Sequence, residues 1–326
     1  MVVRTLTEAW KWRDILWFAG GIALFMYGMY QMGEGLARLA GGRLAAFLGR
    51  VAKSPTKAVA AGAGVTAVLQ SSSAVTVMVV QFVNAGMMGL RQAAGVIMGA
   101  NIGTCVTAWM LGVPEVSRYL FVVALVAATL VLWRGIGAQK RGVAGILLGA
   151  ALLFLGMDGM QAGTAALAES PQFQRLLLRC SDPLQGLLTG ALVTAVIQSS
   201  SVSVGILQAL SAGGAMRYET AIPVILGQNI GTCVTALLAC IGVGARGRAA
   251  AAVHLTFNVA GTGIFLFGFY GLHRIVGFSF MSRPVHSVGI AVIHTVFNLV
   301  TTVVLLPFLY DWGEADKKTT AFRMGS

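Results

Sequence analysis

Two stretches of the chain carry the same polar cluster in apolar surroundings, Gln70-Ser71-Ser72-Ser73 and Gln198-Ser199-Ser200-Ser201. Each offers an amide, three hydroxyls and, if a helix is broken there, the free backbone N–H groups of a helix start. Those N–H groups and the helix macrodipole favour an anion, while hydroxyl, glutamine and unwound backbone oxygens suit a small cation. A second repeated motif follows each cluster: Asn101-Ile102-Gly103-Thr104 and Asn229-Ile230-Gly231-Thr232. Asn and Thr at i and i+3 share one helix face, and the glycine between them admits another backbone at close range. Thr66 and Thr194, four residues before each glutamine, fall on the same face as it. One QSSS alone reads as interhelical glue, because Ser and Gln hydrogen-bond across helices in lipid. Two copies at equivalent breaks read as one site built twice. For the Asn and Thr residues, packing plus one interhelical hydrogen bond is the competing reading.

No Lys or Arg falls in the middle of an apolar window. An anion held there must be met by N–H and O–H dipoles and by a co-bound cation, because uncompensated charge away from water is very costly. Sodium suits these oxygen ligands, although ligand type alone leaves lithium or a proton open. A smaller echo follows in His254-x-x-Phe257-Asn258 and His294-x-x-Phe297-Asn298. An intramembrane histidine is a functional hypothesis by default, yet no second ligand set accompanies either, so packing and a helix-to-helix hydrogen bond are expected. Glu34 and Asp158 are the acidic residues deepest in apolar windows; they do not correspond in the repeat, and no coupling role is expected of them. A serine hydrolase would need one asymmetric nucleophile and base, which duplicated serines argue against. A passive anion channel would share the clusters and differ in needing no cation gradient.

The elements that must hold these residues are membrane helices. The chain has 326 residues, 57% hydrophobic and 10% charged, with a mean hydropathy of +0.80; soluble domains carry about 25% charged residues. Apolar windows approach the ~20 residues that cross a ~30 Å hydrocarbon core. An all-α polytopic membrane protein follows, and a cytosolic enzyme, a secreted disulfide scaffold and a nucleic-acid binder are excluded. The net charge of +12 sits in connectors, where anionic headgroups attract it. The four cysteines, Cys105, Cys180, Cys233 and Cys240, show no ligand spacing. Trp10, Trp12 and Trp17 with Lys11 and Arg13 resemble an interfacial anchor, with no leader cleavage site.

The duplication has a fixed offset of 128. Residues 62–108 align without a gap on 190–236, with 24 identities in 47 positions. Between Pro55 and Arg91 lie 35 residues, too many for one straight crossing and too few for two of ~20 residues plus a turn. Two half-crossing helices meeting at the polar cluster fit, over about 57–90 and 184–217. Full spans are expected at 14–37, 92–113, 117–134, 142–166, 219–241, 249–272 and 286–309. Three crossings in the first unit invert the second, so the hairpins should enter from opposite faces and meet near the midplane. The expected organisation is a first repeat over 1–140, a second over 141–272, and a last span and tail over 273–326. Alternating the connectors puts 14 of the 23 Lys and Arg on one side, which predicts an outside N-terminus and a cytoplasmic C-terminus.

QSSSA at 70–74, QSSSV at 198–202, MGANIGT at 98–104 and LGQNIGT at 226–232 resemble the signature of the type II sodium-dependent phosphate cotransporter family. Over residues 21–240 and the His-x-x-Phe-Asn spans, the resemblance implies inorganic phosphate as substrate and sodium as driving ion. It implies Ser71, Ser72, Ser73, Ser199, Ser200 and Ser201 as the phosphate site. Gln70, Gln198, Asn101, Thr104, Asn229, Thr232, Thr66 and Thr194 are then the sodium-binding set. No catalytic residue, resident cofactor or nucleic-acid partner is expected; the partners are phosphate, sodium and the lipid bilayer, with a complete site in one chain. The short length suggests a bacterial inner-membrane member. Because the chain ends soon after Asp311, the soluble regulatory domain of some bacterial relatives is expected to be absent.

Overall fold

The computed structural model describes residues 11–40, 54–112, 117–132, 135, 137–168, 175, 177–214 and 216–324. Among these, all regular structure is helical apart from one isolated bridge between Arg217 and Pro284. The order is α1 (Trp12–Ala40), α2 (Pro55–Leu69), α3 (Ser72–Asn84), α4 (Leu90–Leu111), α5 (Ser117–Leu132), α6 (Ala138–Ala168), α7 (Pro183–Ile197), α8 (Ser200–Ser211), α9 (Tyr218–Leu238), α10 (Ala245–Ile264), a π-helical turn at Phe265–Phe269, α11 (Tyr270–Val276) and α12 (Ser287–Met324). Six described helices are long and apolar enough to cross a membrane: α1, α4, α6, α9, α10 continuing through α11, and α12. The window at 117–134, expected to be a seventh span, is the shorter helix α5.

The helix pairs around each QSSS are short for a physical reason. Pro55 and Pro183 sit at the first helical turn, where a missing N–H costs nothing, and Ser54 and Asp182 cap the N–H groups of Lys57 and Gln185. Both helices run 15 residues and stop at the glutamine. At 1.5 Å per residue that is about 22 Å, less than a ~30 Å core. The return helices α3 and α8 start at once, with Ser71 and Ser199 as N-caps accepting from the N–H groups of Ala74 and Val202.

Glycines set the packing. In α1, Gly21, Gly28 and Gly35 lie against Gly156, Gly149 and Gly142 of α6, so numbers rise on one helix as they fall on the other. The two helices, which correspond at the 128 offset, therefore pack antiparallel with their backbones in contact. By contrast α2 lies parallel to α4, Gly62 meeting Val96 and Gly103 meeting Ala63 and Thr66. The second copy repeats this, Gly190 meeting Val224 and Gly231 meeting Ala191 and Thr194. Without a hydrophobic force between helices in lipid, such close backbone approach is what holds them together. The first hairpin packs its valines 75, 79, 80 and 83 on Ala250 and Ala251 of α10. The second packs Val204 and Leu207 among Ile290 and Ala291 of α12.

Candidate functional site: two broken helices around one cavity

Gln70 (φ 54°) and Gln198 (φ 59°) are the only non-glycine residues in the left-handed region among those described. That conformation costs an L-residue roughly 1–2 kcal/mol, and both repeats hold it where a carbonyl end of one half-helix meets the N–H end of the next. Each tip thus offers opposite partial charges within a few residues. Ser71 and Ser199 use their Oγ atoms as caps, at 3.2 Å and 3.3 Å from the Ala74 and Val202 nitrogens. Capping satisfies one orphan N–H of each return helix and leaves the earliest ones, at residues 72–73 and 200–201, to serve a ligand.

A cavity of about 330 Å³ brings the tips together. Its lining includes Gln70 and Ser71 from the first, Ser199 from the second, and Met26, Tyr30 and Glu34 from α1. Ser72, Ser200 and Ser201 are buried behind it. Ser73 lies 3.3 Å from the Thr235 hydroxyl, which donates to it across the repeats. The glutamines differ. Gln70 is buried, its Oε1 accepting from Thr107 at 2.7 Å and its Nε2 donating to the Ala67 carbonyl, while Gln198 is exposed.

Behind the tips stand the residues of the two NIGT motifs. Thr104 and Thr232 donate to the carbonyls of Ala100 and Gln228, which leaves their oxygen lone pairs for an incoming donor or cation. Asn101 donates from Nδ2 to Asn258 at 3.2 Å, and Asn229 donates to the Ile225 carbonyl at 2.8 Å. Thr66 is buried with no partner for its hydroxyl, and Thr194 donates to the Ser203 hydroxyl at 2.7 Å.

Some polar residues at the site have no place in the motif reading. Thr107 and Thr235, one turn beyond Thr104 and Thr232, each reach a tip; their signal is in the letter-for-letter repeat of NIGTCVTA. Ser203 and Gln208 are buried on α8 of the second hairpin and Gln228 on α9 next to it, where the offset places Val75, Val80 and Ala100 in the first copy. No repeat argument finds them, because they exist in one copy. Glu34 borders the cavity and pairs with Arg38 at 3.3 Å, whereas Asp158 is exposed on α6. The helix-to-helix bond expected of the histidines is made by Asn258 instead; both ring nitrogens of His254 are buried without a partner. All four cysteines are free.

Two successive stretches, residues 24–162 and 159–295, match the family described as Na+/Pi-cotransporter. The chain belongs to this family. The Na+/Pi cotransporters are transporters and not enzymes, which agrees with the duplicated serines. Among relatives, the uncharacterized protein YqeW of Bacillus subtilis is 30% identical over 89% of this chain and 93% of its own length. The putative inorganic phosphate export protein YjbB of Escherichia coli is 27% identical over 90% of this chain, which spans 54% of that protein. Sodium-dependent phosphate transport protein 2A of Rattus norvegicus is 42% identical over 84 residues, 24% of this chain and 13% of its own. No solved structure matches.

Proposed function

We propose that this protein moves inorganic phosphate across the membrane coupled to sodium, by alternating access to a site between the two serine-rich tips. The observation that carries this is the single cavity bordered by Gln70 and Ser71 of one repeat and Ser199 of the other. Ser71–Ser73, Ser199–Ser201 and the N–H groups of two helix starts bind the phosphate. The oxygens of Gln70, Gln198, Thr66, Thr194, Asn101, Thr104, Asn229 and Thr232 bind sodium, and the sodium charge offsets the anion's in the absence of a mid-depth Lys or Arg. The antiparallel pairing of the equivalent helices α1 and α6 supports entry of the hairpins from opposite faces. An inward sodium gradient drives uptake in this reading; the name of YjbB speaks of phosphate export, a direction that reversed gradients would drive through the same site. A multi-pass position in a bacterial inner membrane, with the N-terminus outside, belongs to the proposal.

Phosphate uptake into proteoliposomes, with inward sodium or with choline in its place, tests it. Accumulation above the external concentration is expected with sodium alone. Equal flux in choline, with no accumulation, would transfer the site to a passive anion channel.

A further inference from the structure

The site above leaves His254-Leu255-Thr256-Phe257-Asn258 on α10 and His294-Thr295-Val296-Phe297-Asn298 on α12 without a task. Both histidines, phenylalanines and asparagines are buried. The two motifs make matching contacts. Asn258 donates from Nδ2 to the His254 carbonyl at 3.0 Å and to Cys233 Sγ at 3.4 Å. Asn298 donates to the His294 carbonyl at 2.9 Å and to Cys105 Sγ at 3.7 Å. Cys105 and Cys233 correspond at the 128 offset, so α12 stands to α4 as α10 stands to α9. The structural counterpart of α10 is therefore α12, forty residues later, and not α5, which the linear offset would assign.

That relation demands a further matched pair, and only half of it is made. Asn101 donates to Asn258 Oδ1 at 3.2 Å. The counterpart would run from Asn229 to Asn298, but Asn229 turns its Nδ2 to the Ile225 carbonyl. Asn298 Oδ1 is buried with no donor. The bond from Asn298 Nδ2 to the His294 carbonyl fixes which end of that amide is oxygen, so an amide flip does not remove the deficit. A buried acceptor without a donor is a costly arrangement to keep.

Building on the transport reading, we propose that Asn258 and Asn298 are positioning residues for the two asparagines of the cation sites and that they engage in turn. Asn258 holds Asn101 in the conformation seen here; in the opposite-facing conformation Asn298 holds Asn229 and Asn101 is released. One hydrogen bond is exchanged for an equivalent one, which keeps the two conformations close in free energy, as alternating occupancy requires. A cation on the Asn101 oxygen polarises its amide and strengthens the N–H bond to Asn258, so occupancy and orientation are linked.

The test reads orientation without transport. Tyr30 lies in the cavity lining and is 62% exposed. Tyr30→Cys in the full chain, with Cys240→Ser, is reacted with an impermeant thiol reagent in sodium-free and phosphate-free vesicles, from the side on which the parent reacts. Asn258→Leu is expected to slow labelling several-fold, Asn298→Leu to leave it equal or faster, and the double variant to return toward the parent. Should Asn258→Leu not fold, Asn258→Ser, too short to reach Asn101, replaces it. Shifts in the same direction for both, or no shift in folded protein, would overturn the proposal and leave the transport reading standing. Absent flux in the parent with opposed shifts would instead sink the transport reading alone.

Discussion

Gln70 and Gln198 combine a backbone conformation that any side chain resists with a side chain that the proposed function assigns to the cation. Glycine separates the two, since it adopts positive φ without a Cβ penalty. Gln198→Gly should leave the thermal unfolding temperature of purified protein unchanged or higher, because that side chain is exposed, whereas Gln70→Gly also gives up the buried bonds to Thr107 and Ala67 and should not raise it. Both should still lose sodium affinity, read as the sodium dependence of phosphate uptake. Loss of one hydrogen-bonding group to a charge, about 1.5–3 kcal/mol, corresponds to roughly 10- to 150-fold. Asn101→Ala and Asn229→Ala should move sodium dependence in the same direction, and Thr107→Val, which removes the bond to Gln70, should do so more weakly. His254→Ala should alter yield or folding and leave sodium dependence in place, because its ring touches no polar partner.

The helices depend on residues that do no chemistry. Gly28 of α1 lies against the backbone of Gly149 and Leu152 to Leu153, and Gly156 of α6 against Gly21 and Phe25. A side chain at either must push the two helices apart, and overpacking costs typically 1–3 kcal/mol. Gly20, on α1 itself, faces open space. Gly28→Leu and Gly156→Leu should therefore each lower the unfolding temperature in detergent, while Gly20→Leu should not. Equal effects at Gly20 and Gly28 would show that helix propensity, and not the seam, sets stability there.

At the scale of the molecule, the proposed inverted duplication has the two tips face each other across one cavity. Cysteines at Lys57 and Asp182, each in the first turn or cap of a hairpin, should react with impermeant reagent from opposite faces of the membrane. Reaction of both from one face would end the inverted arrangement. On the proposed function, sharing one cavity also couples the ligands. Phosphate and sodium should strengthen each other's binding reciprocally, and a coupling of ~1–3 kcal/mol makes the effect roughly 5- to 150-fold. Calorimetry with phosphate, at low and saturating sodium and with choline balancing ionic strength, measures it. Equal phosphate affinity in both would mean that the cation is no part of the bound site.

Apolar runs of crossing length, polar clusters interrupting them and an exact offset between copies are all local properties of the chain, so QSSS, NIGT and the helix breaks are legible in the amino-acid sequence alone. Hydrogen bonds between helices are not local. Thr107 reaching Gln70, Thr235 reaching Ser73 and the engagement of Asn101 by Asn258 depend on which faces meet after packing. The glycine seams show where the division falls. Gly21, Gly28 and Gly35 recur every seven residues in plain view, yet only their contact with Gly156, Gly149 and Gly142 gives α1 and α6 their direction. Ser203, Gln208 and Gln228 mark the limit of repeat reasoning, because a repeat reveals what two copies share. The sequence echoes His-x-x-Phe-Asn on α10 and α12, but that the two helices hold equivalent places is decided by packing, since the linear offset assigns α10 to α5 and the contacts with Cys233 of α9 and Cys105 of α4 select α12.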